Sequence, residues 1–354
     1  MSKCMIEEKE NNSVQDNLLQ SELFDERELK AESKVEFKRY MACMPTCFII
    51  CPLPIRSTGP EKPIYEKKYN NYKMQLQGSH GIPGGKIARN ILMMITTAAK
   101  VFKSENVNEK NEKIIKPVDI KFESLKEFAN IIGVENGDGL NNAIDILEKY
   151  NYLTLNFNKN NYKKDQWFEG MNNDGTNNSI KDENGYYKVR SRVNIPFFNK
   201  MEDVKYIKNK HKRGEAIKVE IQLSQQFVDM AKENSSPIDY NVYKEIRSTV
   251  EKDIYTWLVY RVHKLAEFGN RDGLFISREN LLKQFGDDEN KGNEKMKYLR
   301  IIEAIREIKK KYYTDIKCSI IERGRTDEKG IVLFQSPLVI NEKDLRYVPL
   351  ISLY

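Results

Sequence analysis

Histidine is almost missing from this chain. There are three in 354 residues, His80, His211 and His263, and none is near another in sequence. Nicking DNA through a tyrosine nucleophile calls for a metal held by closely spaced histidines, so the 19 tyrosines lack the partners of a nickase. Long apolar runs are missing too. The richest stretch, Ile91 to Phe102, is broken by Thr96, Thr97 and Lys100 and falls short of the roughly 18 apolar residues that span a bilayer. The first residues are acidic and amide-rich, without the basic-then-apolar order of an export signal. A cytoplasmic protein with no membrane partner is expected.

Cysteine is scarce and odd in number: Cys4, Cys43, Cys47, Cys51 and Cys318. An odd count argues against a disulfide framework. Cys43, Cys47 and Cys51 are spaced by four, yet Pro45 and Pro52 interrupt any helix that would align them. Reduced, partly buried thiols and no metal site are expected. The loop Gly78-Ser-His-Gly-Ile-Pro-Gly-Gly-Lys86 lies between a strand and a helix, where a phosphate loop would lie. A P-loop would need Gly at 80 and Ser or Thr at 87, and His80 and Ile87 stand there. A structural turn remains, or backbone amides that hold a DNA phosphate at a helix N-terminus. Asp287-Asp288, the one vicinal Asp pair, adjoins Gly286 in a loop. No catalytic residue, cofactor or enzyme activity is expected.

What is present is cationic and unevenly placed. The net charge is +7, but residues 1–36 hold five bases against ten acids, whereas 291–325 hold eleven against five. A basic region of this kind suits a polyanion such as nucleic acid, although abundant Lys, Asn and Ile also follow from AT-rich coding sequence.

Two stretches about 150 residues apart share one frame, Ser124-Leu-Lys-Glu-Phe128-Ala-Asn-Ile-Ile132-Gly133 and Ser277-Arg-Glu-Asn-Leu281-Leu-Lys-Gln-Phe285-Gly286. In each, Ser caps a helix, apolar residues four and eight positions on share a face, and Gly stops it. Glu127 completes a capping-box pattern with Ser124. Around the first frame, helices are predicted over Lys86–Phe102 and Leu140–Tyr150 and strands over Cys47–Pro54, Tyr72–Gln77, Ile114–Phe122, Tyr152–Phe157, Val189–Ile195 and Ile217–Leu223. Around the second, a helix is predicted over Val242–Phe268, a strand over Leu274–Ile276, a helix over Asn293–Lys311, and a hairpin from Ile316–Glu322 and Ile331–Gln335. The predicted class is α+β: two tandem winged-helix domains, each a helix-turn-helix with a β-wing. Residues 1–40 form an acidic mobile tail or frayed helix, 41–234 the first domain with an Asn-rich insertion at 158–184, and 238–354 the second, DNA-reading domain. Ser235-Ser-Pro237 is the expected seam.

In the helix Asn293–Lys311, Tyr298, Ile301, Ile302, Ile305 and Ile308 group on one side. Lys297, Arg300, Ala304, Glu307 and Lys311 lie opposite, with Lys295, Arg306, Lys309 and Lys310 on the flanks. Such a rod can lie in the major groove. Lys297 and Arg300 are then the candidates for bases, and Lys309, Lys310 and Lys311 for phosphates. Lys295, Arg306 and, in the wing, Arg323 and Arg325 complete the expected DNA-binding set. Glu303 and Glu307 fit equally a solvated face laced with ion pairs. The matching helix of the first unit presents Asn141, Asn142, Asp145, Glu148 and Lys149, with no net positive charge. Lys205–Arg213 would have to supply any phosphate attraction there.

The motifs Leu53-Pro-x-Arg56, Gly81-Ile-Pro-Gly-Gly-x-Ile87-x-Arg89, Asp253-x-Tyr255-x-Trp257-Leu-x-Tyr260-Arg261 and Leu281-x-x-Gln284-Phe285-Gly286 stand in this order. In them the chain resembles the plasmid-encoded replication initiator (Rep) proteins of theta-replicating plasmids. The resemblance implies two winged-helix domains that bind repeated origin sequences (iterons), open AT-rich DNA, recruit the host initiator and helicase, pair as a homodimer through the first domain, and repress their own gene. A winged-helix transcriptional regulator without an initiation role is the alternative.

Overall fold

The computed structural model describes residues 40–70, 72–101, 105–107, 113–115, 118–122, 124–134, 137–159, 180–181, 187–188, 194–202, 219–269, 273–286, 293–339 and 346–347. The acidic tail, the bulk of the Asn-rich insertion and the basic stretch 205–213 lie outside these residues. Residues Tyr40–Tyr354 form one compact unit, and buried side chains from both ends of the unit join one core.

Strand β1 (Tyr40–Pro45) runs into a one-turn helix, α1 (Thr46–Ile50). The strand expected over Cys47–Pro54 is therefore corrected to a helical turn. Cys47, Phe48, Ile49 and Ile50 are all buried. A short run that is apolar on every side carries no period with which to tell helix from strand. Pro45, which lacks an amide proton for a ladder, marks the switch. Strands β2 (Ile64–Tyr69) and β3 (Tyr72–Gly78) form an antiparallel pair. Helix α2 (Gly85–Val101) then crosses the core with its residues from Ala88 to Ala99 buried.

Strand β4 (Val118–Phe122) alternates buried and half-buried residues in the period-2 pattern of a sheet with one covered face. Helices α3 (Leu125–Ile132) and α4 (Gly137–Asn151) follow, then β5 (Leu153–Lys159), β6 (Asn194–Pro196), β7 (Phe198–Glu202) and β8 (Val219–Leu223). They build two sheets, in the orders β6-β5-β3-β2 and β7-β8-β4.

Helix α5 (Gln225–Glu233) leads to β9 (Ser235–Asp239), where a seam was expected. Residues 235–237 instead lie in a strand that pairs antiparallel with β1, Cys43 facing Pro237. The helix expected over Val242–Phe268 is two helices, α6 (Tyr240–Glu245) and α7 (Thr249–Phe268). Ile246 is extended, and the Ser248 hydroxyl accepts from the Glu251 amide (3.4 Å), capping a new helix there.

The chain continues through β10 (Leu274–Ser277), α8 (Arg278–Phe285), α9 (Glu294–Lys311), β11 (Cys318–Ile321) and β12 (Gly330–Leu333) to β13 (Arg346–Tyr347). β12 is the central strand between β10 and β11, and β13 runs parallel to β1. Mixed helix and sheet describe the fold, the described strands pairing antiparallel except where β13 joins β1. No helix among the described residues is long and apolar enough to cross a membrane.

Candidate nucleic-acid interface

The two repeated frames fold alike at their starts. The Ser124 hydroxyl accepts from the Glu127 amide (3.2 Å) and the Ser277 hydroxyl from the Asn280 amide (3.3 Å), so each caps an eight-residue helix. The ends differ. Gly133 takes the left-handed conformation (φ 66°), and its amide donates to the carbonyls of Ala129 and Asn130. Gly286 is extended (φ −65°, ψ 141°), and its carbonyl accepts from the buried Lys67 ammonium (3.1 Å).

Helix α9 is seated by Tyr298, Ile301, Ile302, Ile305 and Ile308, all buried. The candidate cations Lys295, Arg300, Arg306, Lys309, Lys310 and Lys311 are exposed, and Lys297 is half-buried. Ala304 departs from the expected outward line: it is buried, since at 100° per residue it falls beside Ile308 and Ile301 of the core side. The outward axis passes instead through Met296, Leu299, Arg300, Glu303, Arg306 and Lys310, all exposed.

Several cations on this surface already have local partners. Arg306 pairs with Glu322 of β11's end, Lys311 with Glu307 (2.5 Å), and Lys309 donates to the Cys318 carbonyl (2.8 Å). The Lys311 hydrogen bond holds the Glu307 carboxyl below its ordinary range. In the turn between β11 and β12, Arg323 is exposed, and exposed Arg325 contacts Glu328 (3.4 Å). The side chains of Lys295, Arg300 and Lys310 make no hydrogen bond or ion pair among the described residues, and are the cations most ready to meet a polyanion. On α4 the exposed residues are Gly137, Asp138, Asn141, Asn142, Asp145 and Glu148, while Lys149 is turned back to donate to the Thr58 carbonyl (2.6 Å).

The four sequence motifs meet at a different place, the junction between the residues around α2 and those around α7. Arg89 of α2 binds Asp253 of α7 through two nitrogens (2.6 and 2.7 Å). It also donates to the carbonyls of Leu53 (2.6 Å), Pro54 (3.1 Å) and Gly85 (3.0 Å). The pair is nearly dry, with side-chain exposures of 3% and 14%. One guanidinium thus joins three motifs. The fourth enters through Gln284, whose amide donates to the carbonyls of Ile49 and Ile50 (3.2 Å each), and through Phe285, edge-on to Trp257 (5.3 Å). Lys252, next to Asp253 and fully buried, donates to the Tyr243 carbonyl and sits over its ring (3.8 Å). Burial, with Lys86 and Arg89 nearby, lowers its pKa to about 7. The Arg261 guanidinium lies against the Tyr69 hydroxyl.

Sequence reasoning found the residues of α9 but not the work of Arg89, Asp253 or Gln284. The signal for that work was their place in the motifs. The Gly78–Lys86 loop is a structural turn: Ile82 and Thr58 exchange bonds (2.9 and 3.0 Å), and the Ser57 hydroxyl accepts from the Gly84 amide (2.9 Å). At its tip the exposed His80 ring stacks on Tyr152 (3.9 Å).

Cys43, Cys47, Cys51 and Cys318 are free and buried. Burial pushes the Cys43 thiol up to about 11 and the Cys51 thiol up to about 12, against the thiolate a metal would need. Among the described residues no group of three or more His, Cys, Asp or Glu gathers as a metal site.

Two crystal structures of domains 2 and 3 of RctB are similar to this chain. One, of selenomethionine derivatives, has a TM-score of 0.45 at 8% identity, covering 82% of this chain and 98% of that one. The other has a TM-score of 0.39 at 9% identity, covering 81% and 96%. No curated protein matches the chain. Residues 175–280 match the family described as plasmid encoded RepA protein, a stretch that contains α7 with Asp253 to Arg261 and ends within α8. The match bears out the resemblance to the plasmid-encoded replication proteins that the sequence motifs carry.

Proposed function

We propose that this chain is a non-enzymatic initiator of plasmid replication, acting on double-stranded DNA at repeated origin sequences. Its two winged-helix regions, 41–234 and 238–354, share one core and the Arg89–Asp253 junction, and α9 is the rod that enters the major groove. The observation that carries the reading is the surface of α9. Arg300 and Lys310 are exposed and unbonded on the side away from the core and Lys295 on its flank, with Arg323 and Arg325 in the adjoining turn. The match of residues 175–280 to plasmid encoded RepA protein supports the same reading.

Arg300 hydrogen-bonds a base edge. Lys309, Lys310 and Lys311 hold phosphates, Lys309 and Lys311 by exchanging their present partners for the backbone. Opening AT-rich DNA without hydrolysis draws on the binding energy of several adjacent copies, which offsets bending and unpairing. The host initiator and helicase are then recruited to the opened strand, and a homodimer formed through the first domain represses the chain's own gene.

The test is a footprint of the purified protein on the DNA around its gene. Protected direct repeats spaced by one or two helical turns support initiation. A single inverted repeat, with a plasmid that replicates without the protein, assigns the chain to transcriptional regulation instead.

A further inference from the structure

Seven large apolar side chains are exposed among the described residues, and two of them, Met296 (51%) and Leu299 (42%), lie on α9. They are three residues apart, so at 100° per residue they fall with Arg300 and Glu303 within about a third of the helix circumference. The core side is already filled by Tyr298, Ile301, Ile302, Ile305 and Ile308, so packing does not explain them. We infer that Leu299 and Met296 read thymine methyl groups in the duplex that α9 enters, next to the base contacted by Arg300. The inference rests on the DNA-reading role proposed above for α9.

Charge complementarity selects the occupant. The two apolar side chains are flanked by Lys295, Arg300 and Lys310, three unpaired cations that outnumber the one carboxylate between them, Glu303, and attract a phosphate backbone, while Arg306 is paired with Glu322. A second copy of the chain would bring the same cations against them, and two side chains fall far short of the roughly 800 Å² per partner of a stable interface.

The chemistry selects the base. In the major groove adenine, guanine and cytosine present donors and acceptors, and thymine alone adds a methyl group. Leucine has no polar atom and methionine only a weak acceptor. Either would leave the groups of the other bases dry and unpaired. The spacing also fits: three helical residues rise about 4.5 Å, and stacked pairs are about 3.4 Å apart, so the two side chains reach neighbouring pairs.

The experiment uses the full chain and the duplex protected in its footprint, with each thymine replaced singly by deoxyuridine, which removes only the methyl. One or two replacements should weaken binding about three- to fivefold, as expected for one buried methyl. Leu299→Ala should bind the thymine and deoxyuridine duplexes equally at one of those positions, and Met296→Ala at the other. If every deoxyuridine duplex binds like the parent while Arg300→Ala still weakens binding, α9 reads DNA but not methyls, and the inference fails alone. If Arg300→Ala changes nothing, the role of α9 fails and takes the inference with it. A dimer in sedimentation without DNA that Leu299→Glu disrupts would assign the patch to a second copy and overturn the proposal.

Discussion

The Ser124–Asn151 and Ser277–Lys311 regions start from one local pattern and diverge in what surrounds it. Both begin with a serine-capped helix of eight residues followed by a longer one. In the first, Gly133 closes the helix on itself, the following helix shows amides and acids to solvent, and its Lys149 is tied to the Thr58 carbonyl. In the second, Gly286 stays extended and offers its carbonyl to Lys67, and the following helix shows lysines and arginines. A shared frame therefore fixes how a helix pair begins, not what its outer face meets. Surface charge, set residue by residue, makes that difference.

The largest way to break the comparison is through the junction. Arg89→Ala leaves Asp253 buried without its partner, which should cost about 3–5 kcal/mol. Thermal unfolding followed by calorimetry should show one transition moved to lower temperature. Two transitions, only one of them moved, would mean that the regions unfold independently.

Next in size, Arg300→Ala should lower specific affinity by about 1–3 kcal/mol and relax one base position. Asp145→Ala, at an exposed site on the matching α4, should not weaken binding in the same titration. Equal losses would erase the distinction between the two helices.

Ser124→Ala and Ser277→Ala should each cost about 1 kcal/mol of stability, read from urea midpoints at constant slope. Since the two caps have nearly the same geometry, unequal costs would show that tertiary context outweighs the frame. The smallest effect belongs to Lys310→Ala. It should weaken binding to all sequences alike and flatten the dependence of log affinity on log salt by about one.

Legibility in the sequence followed the range of the interactions. The two capped helices were readable because a cap needs only a hydroxyl and an amide three residues on. Strand β3 was readable from the alternation of Tyr72–Gln77. Helix α1 was not, because its residues are apolar on every side. The break at Ile246 was missed because the apolar spacing runs on across it. On α9 the exposed cations other than half-buried Lys297 were readable, but the outward line was drawn to one side: at 100° per residue Lys297 and Ala304 fall beside buried Ile308, not opposite the core. The junction was least readable of all. Most of the acceptors for Arg89, Gln284 and Lys67 are backbone carbonyls, and every residue has one, so the donors give no hint of where they bind.

The pairing of β1 with β9 bears on how the gene can be divided. A fragment that starts before β9 would leave one edge of β1 unpaired in the other piece, strand Asp253 without its guanidinium and deprive Gln284 of the carbonyls of α1. Separately expressed halves should therefore be sticky and short-lived in solution, and regain order on mixing, each acting as the other's missing wall.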